Sequence, residues 1–145
     1  MANTQQINEL IQRLMAISCF SKDIHYNAVG IESYSDHLLA DRLCDGLDEF
    51  IDTIKENILL GNKQKVLKST EYMNGTIKII PNVVSDNNTE NFRKILKLID
   101  STISFANKLT LDKGDSSLVD SICEKLKNDK GLLQIRTTIN DRTDK

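Results

Sequence analysis

Residues 33–61, "SYSDHLLADRLCDGLDEFIDTIKENILLG", decide the fold. Leu38, Leu39, Leu43, Leu47, Phe50, Ile51, Ile54 and Ile58 recur every three or four positions, which lays one broad apolar stripe along a helix rather than alternating across a strand. Gly61 follows the last of them as a C′ glycine. Read as one element, residues 33–60 form a helix about 42 Å long at the α-helical rise. Off the stripe the same segment carries His37, Asp41, Asp52 and Glu56.

Working outward, Asn3 or Thr4 can cap a preceding helix whose face is Ile7, Leu10, Ile11, Leu14, Met15 and Ile17. No breaker intervenes before Gly30, so this helix is expected over 4–28, with the turn at Gly30–Ser33 and the two helices forming an antiparallel hairpin. On the other side, residues 62–88 read as a long crossover connection. "KQKVLKSTEYM" holds a short helix, Asn74-Gly75 reads as a turn, Pro81 ends any helix and "SDNNT" is loop-like. A connection this long has room to cross from one end of a bundle to the other. A third helix starts at Thr89–Glu90 with Phe92, Ile95, Leu96, Ile99, Ile103 and Ala106 as its face. "DKGDS" breaks it, and a fourth begins with Ser116 or Ser117 as cap. Residues 140–145 read as a frayed polar tail. The expected fold is all-α, a four-helix bundle in a single domain spanning 1–145.

Composition agrees. One proline, six glycines and no tryptophan leave little material for the turns of a β-sandwich or barrel. No apolar run approaches the ~20 residues a membrane span needs. "MANTQQINEL" has neither the basic nor the apolar region of a signal peptide, so a cytoplasmic protein is expected. Cys19, Cys44 and Cys123 are odd in number, with no CxxC pair, and read as small buried hydrophobes. The net charge of −2 hides an asymmetry: residues 1–61 carry ten acids and four bases, residues 62–145 eleven acids and fifteen bases. The acidic part, which suits cation binding, also holds both histidines, His25 and His37.

Residues four apart share a helix face, so His37 with Asp41 and Asp52 with Glu56 are two stacked pairs. Imidazole with carboxylates and no thiolate suits iron, zinc or manganese. On one straight helix the pairs differ by about 60° in direction and lie about 22 Å apart. That is too far for one metal site, whose ligands lie about 2 Å from the ion. Two copies packed antiparallel about a two-fold axis would bring His37 and Asp41 of one to Asp52 and Glu56 of the other, generating two equivalent sites. His25 joins because it lies five residues before Gly30 while His37 lies seven after, at nearly the same height in a hairpin.

The separations of 12, 4, 11 and 4 between His25, His37, Asp41, Asp52 and Glu56, and Gly30 five residues after the first histidine, resemble the iron-site pattern of the Dps family (DNA-binding protein from starved cells). The pattern "HYNAVG…H…D…DTIKE…LG" carries the resemblance, which extends over about residues 5–138 and is diagnostic over 22–61. It implies a ferritin-like four-helix bundle with a long crossover between helices two and three carrying a short helix. It also implies a ferroxidase site shared between two subunits: His25, His37 and Asp41 from one, Asp52 and Glu56 from its partner. Twelve subunits would enclose a cavity in which iron, taken up as Fe2+ and oxidised to Fe3+, is held as mineral, with protection against peroxide. Zinc or manganese would fit the same donors. Asp112 and Asp115 sit where the family often places acidic pore residues. Two positions depart from the pattern: Tyr26 replaces the usual tryptophan, and Ser33, beside Tyr34, replaces a phenylalanine. The Glu-x-x-His motif of classical ferritins is absent. DNA binding is expected to be weak or absent, because the first lysine is Lys22 and the C-terminal tail balances Arg142 and Lys145 against Asp141 and Asp144. The alternative reading is a non-catalytic helical assembly or structural protein on the same scaffold.

Overall fold

The computed structural model describes residues 1–83 and 86–138, and among these every regular element is helical. The tail expected over 140–145 lies outside the described residues. The order is α1 (Thr4–Asn27), α2 (Ser33–Cys44), α3 (Leu47–Thr53), a π-helical turn (Ile54–Leu59), a 3-10 turn (Leu60–Asn62), α4 (Ser69–Ile77), α5 (Asn88–Asn107) and α6 (Lys113–Thr137). No described helix is long and apolar enough to cross a membrane.

Helix α1 is the central element. It packs against α2, α3, α4 and α5, and α5 in turn packs against α6. Its start is a capping box: the Asn3 side chain accepts from the Gln6 amide while the Gln6 side chain accepts from the Asn3 amide. The core stripe of α1 (Leu10, Ile11, Leu14, Ile17, Phe20 and Ile24) is fully buried. It meets Leu43, Leu47 and Ile54 from the following segment and Phe92, Ile95 and Ile99 from α5 within one apolar cluster. Burying each such side chain is worth about 1.5–3 kcal/mol, so the cluster is the main favourable contribution to the fold.

Four expectations are corrected. First, residues 33–60 are not one straight helix. Helix α2 ends at Cys44, Asp45 turns extended (ψ 129°), and Gly46 sits in the left-handed region at φ 76° before α3 resumes. The apolar spacing continues across the break because Leu43, Leu47 and Ile51 stay in the core, which hides the interruption from a periodicity reading. The chain then widens into a π turn, so the rotation calculated for a straight α-helix does not hold between His37 and Glu56. Second, Asn74-Gly75 is not a turn; both residues lie inside α4. A Cβ at Gly75 would meet the amide end of the Gln12 side chain of α1, which lies over this glycine and can swing aside. Tyr72, 1% exposed, fixes the same contact by donating to Asn8 Oδ1 at 2.7 Å.

Third, the caps of the last two helices shift. Asn87 caps α5 by accepting from the Glu90 amide, so "NNT" opens the helix instead of preceding it. Asp112 caps α6 by accepting from the Asp115 amide, which puts Gly114, Ser116 and Ser117 inside the helix. Fourth, none of the three cysteines is fully buried: Cys19 is exposed, Cys44 and Cys123 are half-buried, and all are free thiols. Partial burial is still the leading cause that pushes each of these thiols above its ordinary range.

Candidate metal centre

The two histidines meet across the α1–α2 hairpin. Their rings stack with centroids 3.5 Å apart and planes inclined by 27°. His25 Nδ1 lies 3.0 Å from the carbonyl oxygen of His37, and His37 Nδ1 lies 2.9 Å from the carbonyl oxygen of His25. A carbonyl only accepts, so each Nδ1 carries the proton and donates. In the neutral rings the lone pair is then left on Nε2 of both. This is how protein metal sites hold imidazole ligands: the second ring nitrogen donates to a fixed acceptor, which sets tautomer and orientation.

The end of α1 explains why the exchange forms. A helix leaves its last four carbonyls without intrahelical donors. The His25 carbonyl is one of them, since α1 stops at Asn27 and the Val29 amide turns away to donate to Asn88 Oδ1 at 3.1 Å. The imidazole of His37 supplies the missing donor. Gly30, at φ 83°, allows the reversal, and the Ser33 amide closes the turn on the Gly30 carbonyl at 3.1 Å.

The residues beside the pair are held firmly. Asp36, directly before His37, is only 2% exposed. Arg136 of α6 forks onto it, Nε to Oδ1 at 2.8 Å and Nη2 to Oδ2 at 2.9 Å. The Arg136 guanidinium also donates to Thr89 Oγ1 at 2.9 Å, pairs with Glu32 at 3.2 Å and lies over the Phe92 ring. The hydrogen bond that Arg136 donates to Asp36 is the leading cause that raises Arg136 further above its ordinary range. Asn88 Nδ2 donates both to Asp36 Oδ2 at 2.9 Å and to the Val29 carbonyl at 2.8 Å.

The other expected ligands lie apart from the histidines or on open surface. Asp41 is exposed on α2, with Lys22 Nζ at 3.8 Å, and its carbonyl accepts from Cys44 Sγ at 3.1 Å. Asp52 stands exposed in the last turn of α3, and Glu56 is exposed within the π turn. Among the described residues, no three His, Cys, Asp or Glu side chains of this one chain come together to hold an ion. Tyr26 is 75% exposed and packs edge-on against His25 at 4.8 Å, and the same hairpin exposes Ile31 fully and Tyr34 at 74%, among the exposed charged side chains of Lys22, Asp23, Glu32 and Asp41.

Asp36, Asn88 and Arg136 were not singled out by the sequence reading. Asp36 did carry a signal: with Ala40, Leu43 and Leu47 it keeps the helical spacing of the buried face, and a carboxylate on that face needs a cation. Nothing local marks Arg136 as that cation, because it lies a hundred residues away. Comparison of the chain with protein-family models, with curated proteins and with solved structures finds no match.

Proposed function

We propose that this chain is a Dps-like ferroxidase and iron-storage protein, a ferritin-like four-helix bundle in which α2 and α3 together serve as the second helix and α4 rides on the crossover. Fe(II) is the substrate. It binds where His25, His37 and Asp41 of one copy face Asp52 and Glu56 of a two-fold partner, and the ferric product is held inside a hollow dodecamer. A cytoplasmic location and weak or absent DNA binding belong to the same reading.

The observation that carries it is the reciprocal bonding of the stacked histidines, in which both Nδ1 atoms donate to carbonyls and each Nε2 keeps its lone pair for a metal. Two imidazoles alone leave most of an iron ion's coordination unfilled. Carboxylates from a partner complete it, and their hard oxygens favour Fe(III) over Fe(II). Two Fe(II) ions each give one electron to a peroxide, which takes up two protons and leaves as two waters. Confining that reduction to bound metal limits release of hydroxyl radical. The exposed Tyr26, Ile31 and Tyr34 supply apolar area for the pairing that brings the carboxylates in.

The test is growth of ferric absorbance after Fe(II) is added in air or with peroxide. The parent protein is expected to oxidise iron in multiples of two ions per pair of copies. The double variant His25→Ala, His37→Ala should lose this while keeping its assembly. If the double variant mineralises as fast as the parent, these histidines are not the ligands. If the parent itself oxidises no iron, the non-catalytic assembly is the better reading.

A further inference from the structure

We propose that Arg136 is a positioning residue for the histidine pair: anchored on α6, it clamps the α2 side of the α1–α2 turn, while Asn88 ties the same carboxylate to the α1 side, so that the two imidazoles stay in register. The inference rests on the ferroxidase reading for its consequence but not for its geometry.

The turn has two ends, and each is tied to the same cluster. On the α2 side, Asp36 is held by both arms of the guanidinium and by Asn88. Because Asp36 and His37 are consecutive in one helix, fixing the Asp36 carboxylate fixes the rotation of the first turns of α2. That rotation sets where the His37 ring and carbonyl point. On the α1 side, Asn88 takes both polar groups of the Val29 backbone, accepting from its amide and donating to its carbonyl. One amide side chain therefore touches both ends of the hairpin, and Arg136 holds the α2 end through Asp36.

Arg136 is itself pre-set. Thr89, Glu32 and the Phe92 ring account for the rest of its guanidinium, so the fork reaches Asp36 in one orientation. A lysine there would keep the charge but lose the fork. The hydrogen-bonded exchange between the histidines tolerates little rotation, since both bonds are near 3.0 Å and each ring must face the other's carbonyl. Release of Asp36 lets α2 turn, and the reciprocal Nδ1–carbonyl bonds that set both ring orientations are lost.

The test compares the parent with Arg136→Gln and Arg136→Lys by three readouts: thermal midpoint, the protected Nδ1–H signals of both imidazoles by NMR, and binding of Zn(II) alone. Initial rates of Fe(II) oxidation are measured alongside. Arg136→Gln is expected to lose both Nδ1–H signals well below its melting midpoint. It is also expected to bind Zn(II) about 10–100-fold more weakly, the usual cost of removing a group that orients a metal ligand. Its half-saturating Fe(II) concentration should rise by a similar factor while the maximal rate stays close to the parent's. Arg136→Lys should fall between the two. Persistence of both imidazole signals with unchanged Zn(II) binding in Arg136→Gln overturns the proposal. If Arg136→Gln does not fold, Arg136→Lys decides by the same two readouts, and equality with the parent overturns it. A parent that shows the imidazole signals and binds Zn(II) but oxidises no iron defeats the ferroxidase reading and leaves the clamp standing. A parent that oxidises iron no better than a folded Arg136→Gln defeats the clamp alone.

Discussion

Asp129 shows how one side chain sets a pH dependence. It lies on α6, 2% exposed, bonded to Lys125, whose Nζ also reaches the Arg42 carbonyl at the end of α2 at 3.2 Å. Burial pushes its carboxyl above the ordinary value of 3.8, and Lys125 only partly offsets the shift. A carboxyl raised by folding favours the native state while protonated. Its contribution is therefore complete below the ordinary value and is lost as pH rises through the raised one. Asp129→Asn keeps an acceptor for Lys125 and removes the titration. Its stability relative to the parent, measured by urea unfolding from pH 3 to pH 7, is expected to improve as pH rises. A difference that stays flat over that range would show that burial does not perturb this carboxyl. At the same scale, the height of His25 beside His37 was legible from the position of Gly30 alone, and their stacking meets it. The orientation of the rings was not legible, because it depends on a free carbonyl at a helix end and on Arg136, neither of which any local spacing reports.

At the scale of elements, the boundaries of α1 could be read because its signals are local: a capping box at Asn3, an unbroken stripe, and a glycine after the end. The segment after the turn misleads for the opposite reason. Its apolar positions answer to the core, and the core is continuous, so the same spacing describes a straight helix or one broken at Gly46. Substitution separates these. In a straight exposed helix Gly46→Ala stabilises by about 1 kcal/mol through helix propensity. At φ 76° with open space around it, the same change costs about 1–2 kcal/mol in backbone conformation alone. Urea unfolding is expected to give the destabilisation. A gain in stability would restore the straight helix. The Asn74-Gly75 pair was misread as a turn because both residues favour turns locally, and only the packing of α4 on α1, with the Gln12 side chain lying over Gly75, tells the two apart.

At the scale of the whole molecule, the all-α class followed from composition and stripe spacing, and the structure shares it among all described elements. Of the five proposed ligands His25 and His37 meet within one chain, and no third His, Cys, Asp or Glu side chain among the described residues joins them, so the proposed chemistry calls for a second copy. The exposed apolar residues of the α1–α2 hairpin are where that copy is expected. Ile31→Asp together with Leu38→Asp, both at exposed positions, should lower the mass seen by light scattering and the iron-oxidation rate together. A variant that keeps full mass and full activity would place the pairing surface elsewhere.

The central claim, that each site takes imidazoles from one copy and carboxylates from another, is tested most directly by mixing two inactive proteins. His25→Ala, His37→Ala lacks one set of donors, and Asp52→Asn, Glu56→Gln lacks the other. Neither should oxidise Fe(II) alone. After unfolding and refolding together in equal amounts, half of the pairs are hybrids, and each hybrid has one complete site. About a quarter of the parent's activity should therefore return. Co-assembly with no recovery of activity would contradict the account.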